Sequence, residues 1–134
     1  MKIPPAKIQV RFADIDVMGH VNNATYLSYF ENTRMHYFKF MLDREWDWNK
    51  DGIIILKNEV EYIRPVVLTD SPEITMFVEA IGNKSFTLSY ELKVKENLCC
   101  KGRSVLVGYD NEQHKTIAIP DVMSQQLEEL KSEQ

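Results

Sequence analysis

The chain has 134 residues, the size of one domain that buries roughly two thirds of its unfolded surface on folding. Its 44% hydrophobic and 27% charged residues exclude a disordered or membrane-embedded chain. A net charge of −4 with sixteen scattered basic residues excludes the basic stripe that captures nucleic acid, while a few Lys or Arg still suffice to hold the phosphates of a nucleotide-bearing substrate.

The start, Met1-Lys2-Ile3-Pro4-Pro5, lacks the apolar run of a signal peptide. No stretch approaches the ~18 apolar residues of a membrane span. Cys99 and Cys100 are the only cysteines and are sequence neighbours, so they are read as packing residues of a chain in a reducing compartment, and a cytoplasmic location is expected.

Lys7 to Phe12 alternates polar and apolar and predicts a first strand. A polar, Gly-containing turn follows from Ala13 to Asn23. From Ala24 to about Leu42 there is no Pro or Gly, and Tyr26, Phe30, Thr33, Tyr37 and Phe40 recur at helical spacing, with Leu27, Met35, Phe38 and Met41 beside them. Mainly Glu31, Arg34 and Lys39 interrupt the apolar surface, which predicts a helix enclosed by other structure.

Strands are predicted over residues 53–63, 73–81, 85–95 and 98–109. In the third, Phe86, Leu88, Tyr90, Leu92 and Val94 alternate with polar residues, so one face meets the core and the other meets water. Thr69-Asp70-Ser71-Pro72, Gly82-Asn83 and Glu96-Asn97 supply turns short enough for an antiparallel meander. Pro120-Asp121 opens an acidic amphipathic tail helix carrying Val122, Met123, Leu127 and Leu130. Strand, long helix, then sheet make an α+β class, with residues 1–134 as a single domain.

The stretch from Asp14 to Tyr26 gathers two carboxylates, an imidazole and two amides at the N-terminus of the apolar helix. Unpaired N–H groups and the positive dipole end there hold a carboxylate or a developing oxyanion, which suits acyl transfer. Taken alone, Asp residues before a helix serve as caps more often than as catalysts. A calcium loop fails, because Met18 and Thr25 stand where oxygen ligands and a bidentate Glu belong.

The run Arg11-Phe12-Ala13-Asp14-Ile15-Asp16-Val17-Met18-Gly19-His20-Val21-Asn22-Asn23-Ala24-Thr25-Tyr26 resembles the signature of the 4-hydroxybenzoyl-CoA thioesterase-like branch of the hotdog superfamily. The likeness extends to Tyr62-Ile63-Arg64-Pro65, Asp70 and Lys84-Ser85-Phe86. It implies a hotdog fold, a long central helix wrapped by an antiparallel sheet, and a homodimer or homotetramer with active sites between protomers. The implied activity is hydrolysis of an acyl-CoA thioester, with Asp16 as nucleophile or as general base on water and Asp14 shaping the turn.

By the same likeness, His20 orients water or binds the thioester carbonyl, and the backbone N–H of Asn23 polarises that carbonyl. One such donor is worth on the order of 3 kcal/mol in a dry site. His20 matches the histidine of the acyl-carrier-protein thioesterases, but the position of their accompanying Asn is here Met18. Glu31 either assists or pairs with Arg34. Coenzyme A is implied along the sheet, its phosphates near Arg64, Lys84 and Ser85, and also Arg103.

A thiol leaving group, with a pKa of about 8.5 on the cysteine scale, departs without strong acid assistance, so no metal or redox cofactor is required. Two other readings stay open: an acyl-carrier-protein thioesterase, and a noncatalytic acyl-thioester-binding module in which the Asp16 turn is only a cap. A hotdog dehydratase or hydratase is disfavoured, since the motifs of those enzymes are missing.

Overall fold

The computed structural model describes residues 2–134. Its centre is helix α1 (Thr25–Met41), cradled by a curled antiparallel sheet of β1 (Ala6–Lys7), β2 (Gly52–Tyr62), β3 (Glu73–Ile81), β4 (Ser85–Val94), β5 (Asn97–Asp110) and β6 (Lys115–Ile117), with α2 (Asp121–Glu133) at the end. The strand order is β1-β3-β4-β5-β2, and β6 pairs with the far end of β5. This is the hotdog arrangement, helix inside and sheet outside. Buried side chains from the helices, the loops and the main strands form a core cluster.

The alternation of β4 is realised as expected, with Phe86, Leu88, Tyr90, Leu92 and Val94 all buried. Register shifts between Ile55 and Lys57 in β2 and between Val78 and Ala80 in β3 insert an extra residue and sharpen the bend around α1. Phe30 stacks on Tyr90 with ring centroids 4.5 Å apart. Only a glycine fits beneath it: a Cβ at Gly102 would stand 2.4 Å from the Phe30 ring.

Five local expectations are corrected. Of the strand predicted from Lys7 to Phe12 only Lys7 joins the ladder, beside Ala6; burial of Ile8 and Val10 continues the alternation, but Phe12–Asp14 winds into a 3-10 turn that delivers Asp14 to the core. The β4–β5 turn centres on Lys95 and Glu96, both at positive φ, the geometry that matches the twist of a hairpin. In α2 the buried residues are Met123 and Leu127, whereas Val122 is exposed. Nor is α1 enclosed all round, because Leu27, Met35 and Phe40 are 39–47% exposed. Arg34, read in the sequence as a polar interruption, is instead buried and donates from Nη1 to the Tyr90 hydroxyl at 3.1 Å.

The β3 edge is closed by side chains where β1 ends. The Tyr37 hydroxyl accepts the Met76 N–H at 3.1 Å, and the Gln134 carboxamide bonds both the N–H (2.9 Å) and the C=O (2.7 Å) of Val78. Such capping removes a template for edge-to-edge association. Replacing Gln134 by Ala is expected to lower stability by about 1 kcal/mol, read as a lower urea midpoint, with α2 retained in the far-ultraviolet circular dichroism.

Candidate active site

Between β1 and α1 the chain folds into a small hairpin. Ile15 bridges Val21 antiparallel, the Asp16 N–H donates to the His20 carbonyl at 2.8 Å, and the Gly19 N–H donates to the Asp16 carbonyl at 3.0 Å. Gly19 closes the turn at φ +78, a left-handed value that glycine adopts without a Cβ penalty. Asp16 Oδ1 accepts the N–H groups of Met18 (2.9 Å) and His20 (3.3 Å). The carboxylate is therefore fixed by its own turn through Oδ1, and Oδ2 has no hydrogen bond among the described residues.

The hairpin is tied to the body by backbone and side chains. The Val21 N–H donates to the Val66 carbonyl at 2.8 Å, and His20 bridges Val67. Val67 in turn donates its N–H to Asp70 Oδ2 at 2.9 Å, so Asp70 shapes the loop that backs the hairpin. Asp14 is 3% exposed. Its carboxylate accepts the Tyr29 hydroxyl at 2.7 Å, the Arg11 N–H at 2.9 Å and Arg11 Nη2 at 3.2 Å. Burial raises the Asp14 carboxyl, but the Tyr29 hydroxyl and the Arg11 donors outweigh burial and hold it below the usual carboxylate value.

Asn23 precedes α1. The Asn22 side chain accepts the Ala24 N–H at 2.9 Å, while the Asn23 N–H has no partner among the described residues and is one of the spare donors of the helix start. The Tyr62 hydroxyl donates to the Asn23 carbonyl at 2.7 Å, holding that peptide. The Tyr62 ring meets Tyr26 edge-on at 5.1 Å. Burial, together with the neighbouring Cys100, pushes the Tyr26 phenol up to about 12.

Asp16, His20 and Asn23 thus belong to a single hairpin and the helix start that follows it. His20 is half-buried, and its ring nitrogens have no protein partner among the described residues. Arg64 is exposed nearby, its N–H on the Cys99 carbonyl at 3.0 Å. Lys84 and Ser85 lie elsewhere. Ser85 pairs with Val107, seven residues along β5 from Cys100, which pairs with Tyr62 beside Asn23; at about 3.3 Å per residue this end is roughly 23 Å from the hairpin within one chain. Arg103 is engaged by Glu79 at 2.7 Å.

The sequence reading gave no role to Tyr29, Tyr62 or Val66. Tyr29 stands three residues after Tyr26 and four before Thr33, a spacing that marks it as inward-facing, but its polar partner lies on the other arm of the loop. Among the described residues, no group of three or more His, Cys, Asp or Glu is placed to hold a metal ion. No helix among them is long and apolar enough to cross a membrane.

Comparison with known proteins agrees with the fold. The profile of the thioesterase-like superfamily matches residues 10–127. YsmA of Bacillus subtilis is 32% identical over 119 residues, covering 86% of this chain and 78% of that protein. The long-chain acyl-CoA thioesterase FadM of Escherichia coli is 27% identical over 127 residues, covering 92% and 96%. Among solved structures, a thioesterase from Thermus thermophilus complexed with coenzyme A and Zn has a TM-score of 0.83 at 29% identity, covering 98% of each chain.

Proposed function

We propose that this chain, which belongs to the thioesterase-like superfamily, is an acyl-CoA thioesterase that hydrolyses its substrate to a free carboxylic acid and coenzyme A at the Asp16 hairpin. The observation that carries the reading is the pairing of a carboxylate fixed through one oxygen with the spare Asn23 N–H at the start of α1. Similarity to FadM and to a coenzyme A-bound thioesterase supports coenzyme A as the carrier.

In the chemistry, Asp16 takes a proton from water and the hydroxide attacks the thioester carbonyl carbon. The Asn23 N–H receives the oxyanion, the C–S bond breaks, and the thiolate leaves with the proton held by Asp16. The alternative role of Asp16 as nucleophile uses the same oxyanion donor and passes through a mixed anhydride that water then opens. His20, beside Asp16 with its ring unengaged, orients the water or the carbonyl.

The coenzyme A contacts of Lys84 and Ser85 are assigned to a second protomer, since one chain places them roughly 23 Å from the hairpin. The outer edge of β2 supplies the means: among the described residues it is unpaired along Gly52–Tyr62, and the strand bears exposed Ile54, Leu56 and Tyr62. Antiparallel pairing of two β2 edges sets the Tyr62 end of one chain beside the Gly52 end of the other. Ile54 pairs with Val107 and Val107 with Ser85, so Lys84 and Ser85 of one copy approach Asp16 of the other. Lys84→Ala is expected to raise KM for acyl-CoA by about tenfold with kcat within about twofold; unchanged KM removes Lys84 from the coenzyme A site.

The carrier is tested by thiol release from one acyl group presented on coenzyme A and on acyl-carrier protein. Faster release from coenzyme A is expected. The reverse order makes the protein a carrier-protein thioesterase, and release from neither leaves an acyl-thioester-binding module.

A further inference from the structure

The tip of the Asp16 hairpin is exposed at Val17 and Met18. The hairpin is joined to α1 by a bond between Asp14 and Tyr29: a carboxylate and a hydroxyl, both buried, 2.7 Å apart, from residues fifteen apart in sequence. Asp14 is also the hub of the loop. Its N–H donates to the Arg11 carbonyl at 2.9 Å, its carboxylate accepts from Arg11, and its own carbonyl accepts the Asn22 N–H at 2.8 Å. The two arms of the hairpin, residues 11–15 and 21–23, therefore meet at Asp14, and Tyr29 is the only α1 side chain that bonds it.

We infer that Tyr29 is a positioning residue: its hydroxyl, through Asp14, latches the hairpin to the first turns of α1 and so sets the distance between the Asp16 carboxylate and the Asn23 N–H. This rests on the assignment of those two groups to the chemistry. Tyr29 touches neither substrate nor reacting atoms. It shares a rigid base with the oxyanion donor, since Tyr29 and Tyr26 pack edge-to-face at 6.0 Å and Tyr26 packs on Tyr62, whose hydroxyl holds the Asn23 carbonyl. The carboxylate and the donor are thus referred to the same few aromatic rings. Burial and the Asp14 carboxylate raise the Tyr29 phenol above its ordinary value, so it stays a donor throughout the neutral range.

Tyr29→Phe removes the hydroxyl and keeps the ring. In the full chain, amide hydrogen exchange of residues 15–23 is expected to rise by more than about tenfold, with β3 to β5 unchanged. With acyl-CoA, kcat is expected to fall by up to about 10²-fold, as for a displacement on the order of 1 Å, while KM stays within about twofold; a purely structural role would lower the melting temperature and leave kcat alone. Unchanged exchange overturns the latch whatever the kinetics, and raised exchange with wild-type kcat overturns its positioning role. A wild-type protein that releases no thiol defeats the catalytic assignment, and exchange still decides the latch.

Discussion

Asp16→Asn is expected to lower kcat by about 10²–10⁴-fold, the range for loss of a positioned general base, with little change in KM or in melting temperature. The geometry makes the substitution clean. An asparagine keeps the Oδ1 acceptor that receives the Met18 and His20 N–H groups, so the turn and its Gly19 corner survive. What is lost is the charge and basicity of the second oxygen. A cap or turn former would tolerate the change, because Asn is as good an Asx-turn residue as Asp. Retained turnover would therefore reduce Asp16 to a structural role, and steady-state thiol release at saturating acyl-CoA decides between the two.

The largest expected effect on stability is at Phe30. Its side chain is 1% exposed, stacks on Tyr90 and fills the space above Gly102. Phe30→Ala is expected to cost about 3–5 kcal/mol, the loss of buried area plus the cavity left behind. The neighbourhood cannot collapse easily, since Tyr90 is held from the other side by Arg34 Nη1 and β4 and β5 are locked in register at Tyr90 and Gly102. Gly102→Ala tests the same contact from below. The ring would have to give way, and overpacking of this kind costs about 1–3 kcal/mol. Urea unfolding with an unchanged m-value checks both; a loss under about 1 kcal/mol for Phe30→Ala would contradict this packing.

Acid should act on the hairpin through Asp14. Its carboxyl is held below the usual value in the folded chain, so its contribution to stability is present at neutral pH and is lost only as the pH falls below about 4 through the depressed folded value. In Tyr29→Phe the desolvation of Asp14 is opposed by Arg11 alone, and loosening of the hairpin is expected to begin at a higher pH. Amide exchange of residues 15–23 as a function of pH reads this directly.

Local pattern carried the helix, the strand meander and the Asp16 turn into view. α1 announces itself because nothing between Ala24 and Leu42 breaks a helix, and β4 because its alternation is uninterrupted. The Asp16 turn was legible as a run of adjacent residues. What the chain order hides is which end of the sheet a residue reaches. The likeness assigns Lys84 and Ser85 to the coenzyme A phosphates, and only the register shows that they stand at the Val107 end of β5. Tyr62 meets Asn23 across a sequence gap of 39 residues, a pairing set by tertiary packing alone. Arg34 read as a polar interruption because charged residues are mostly exposed, but Tyr90 provides the partner that lets it be buried.

The most direct test is steady-state thiol release by the wild-type protein from acyl-CoAs spanning short, long and aromatic acyl groups. The account predicts saturable turnover with at least one of them, without added metal. Absence of release from every acyl-CoA by a folded protein would contradict hydrolysis at the Asp16 hairpin.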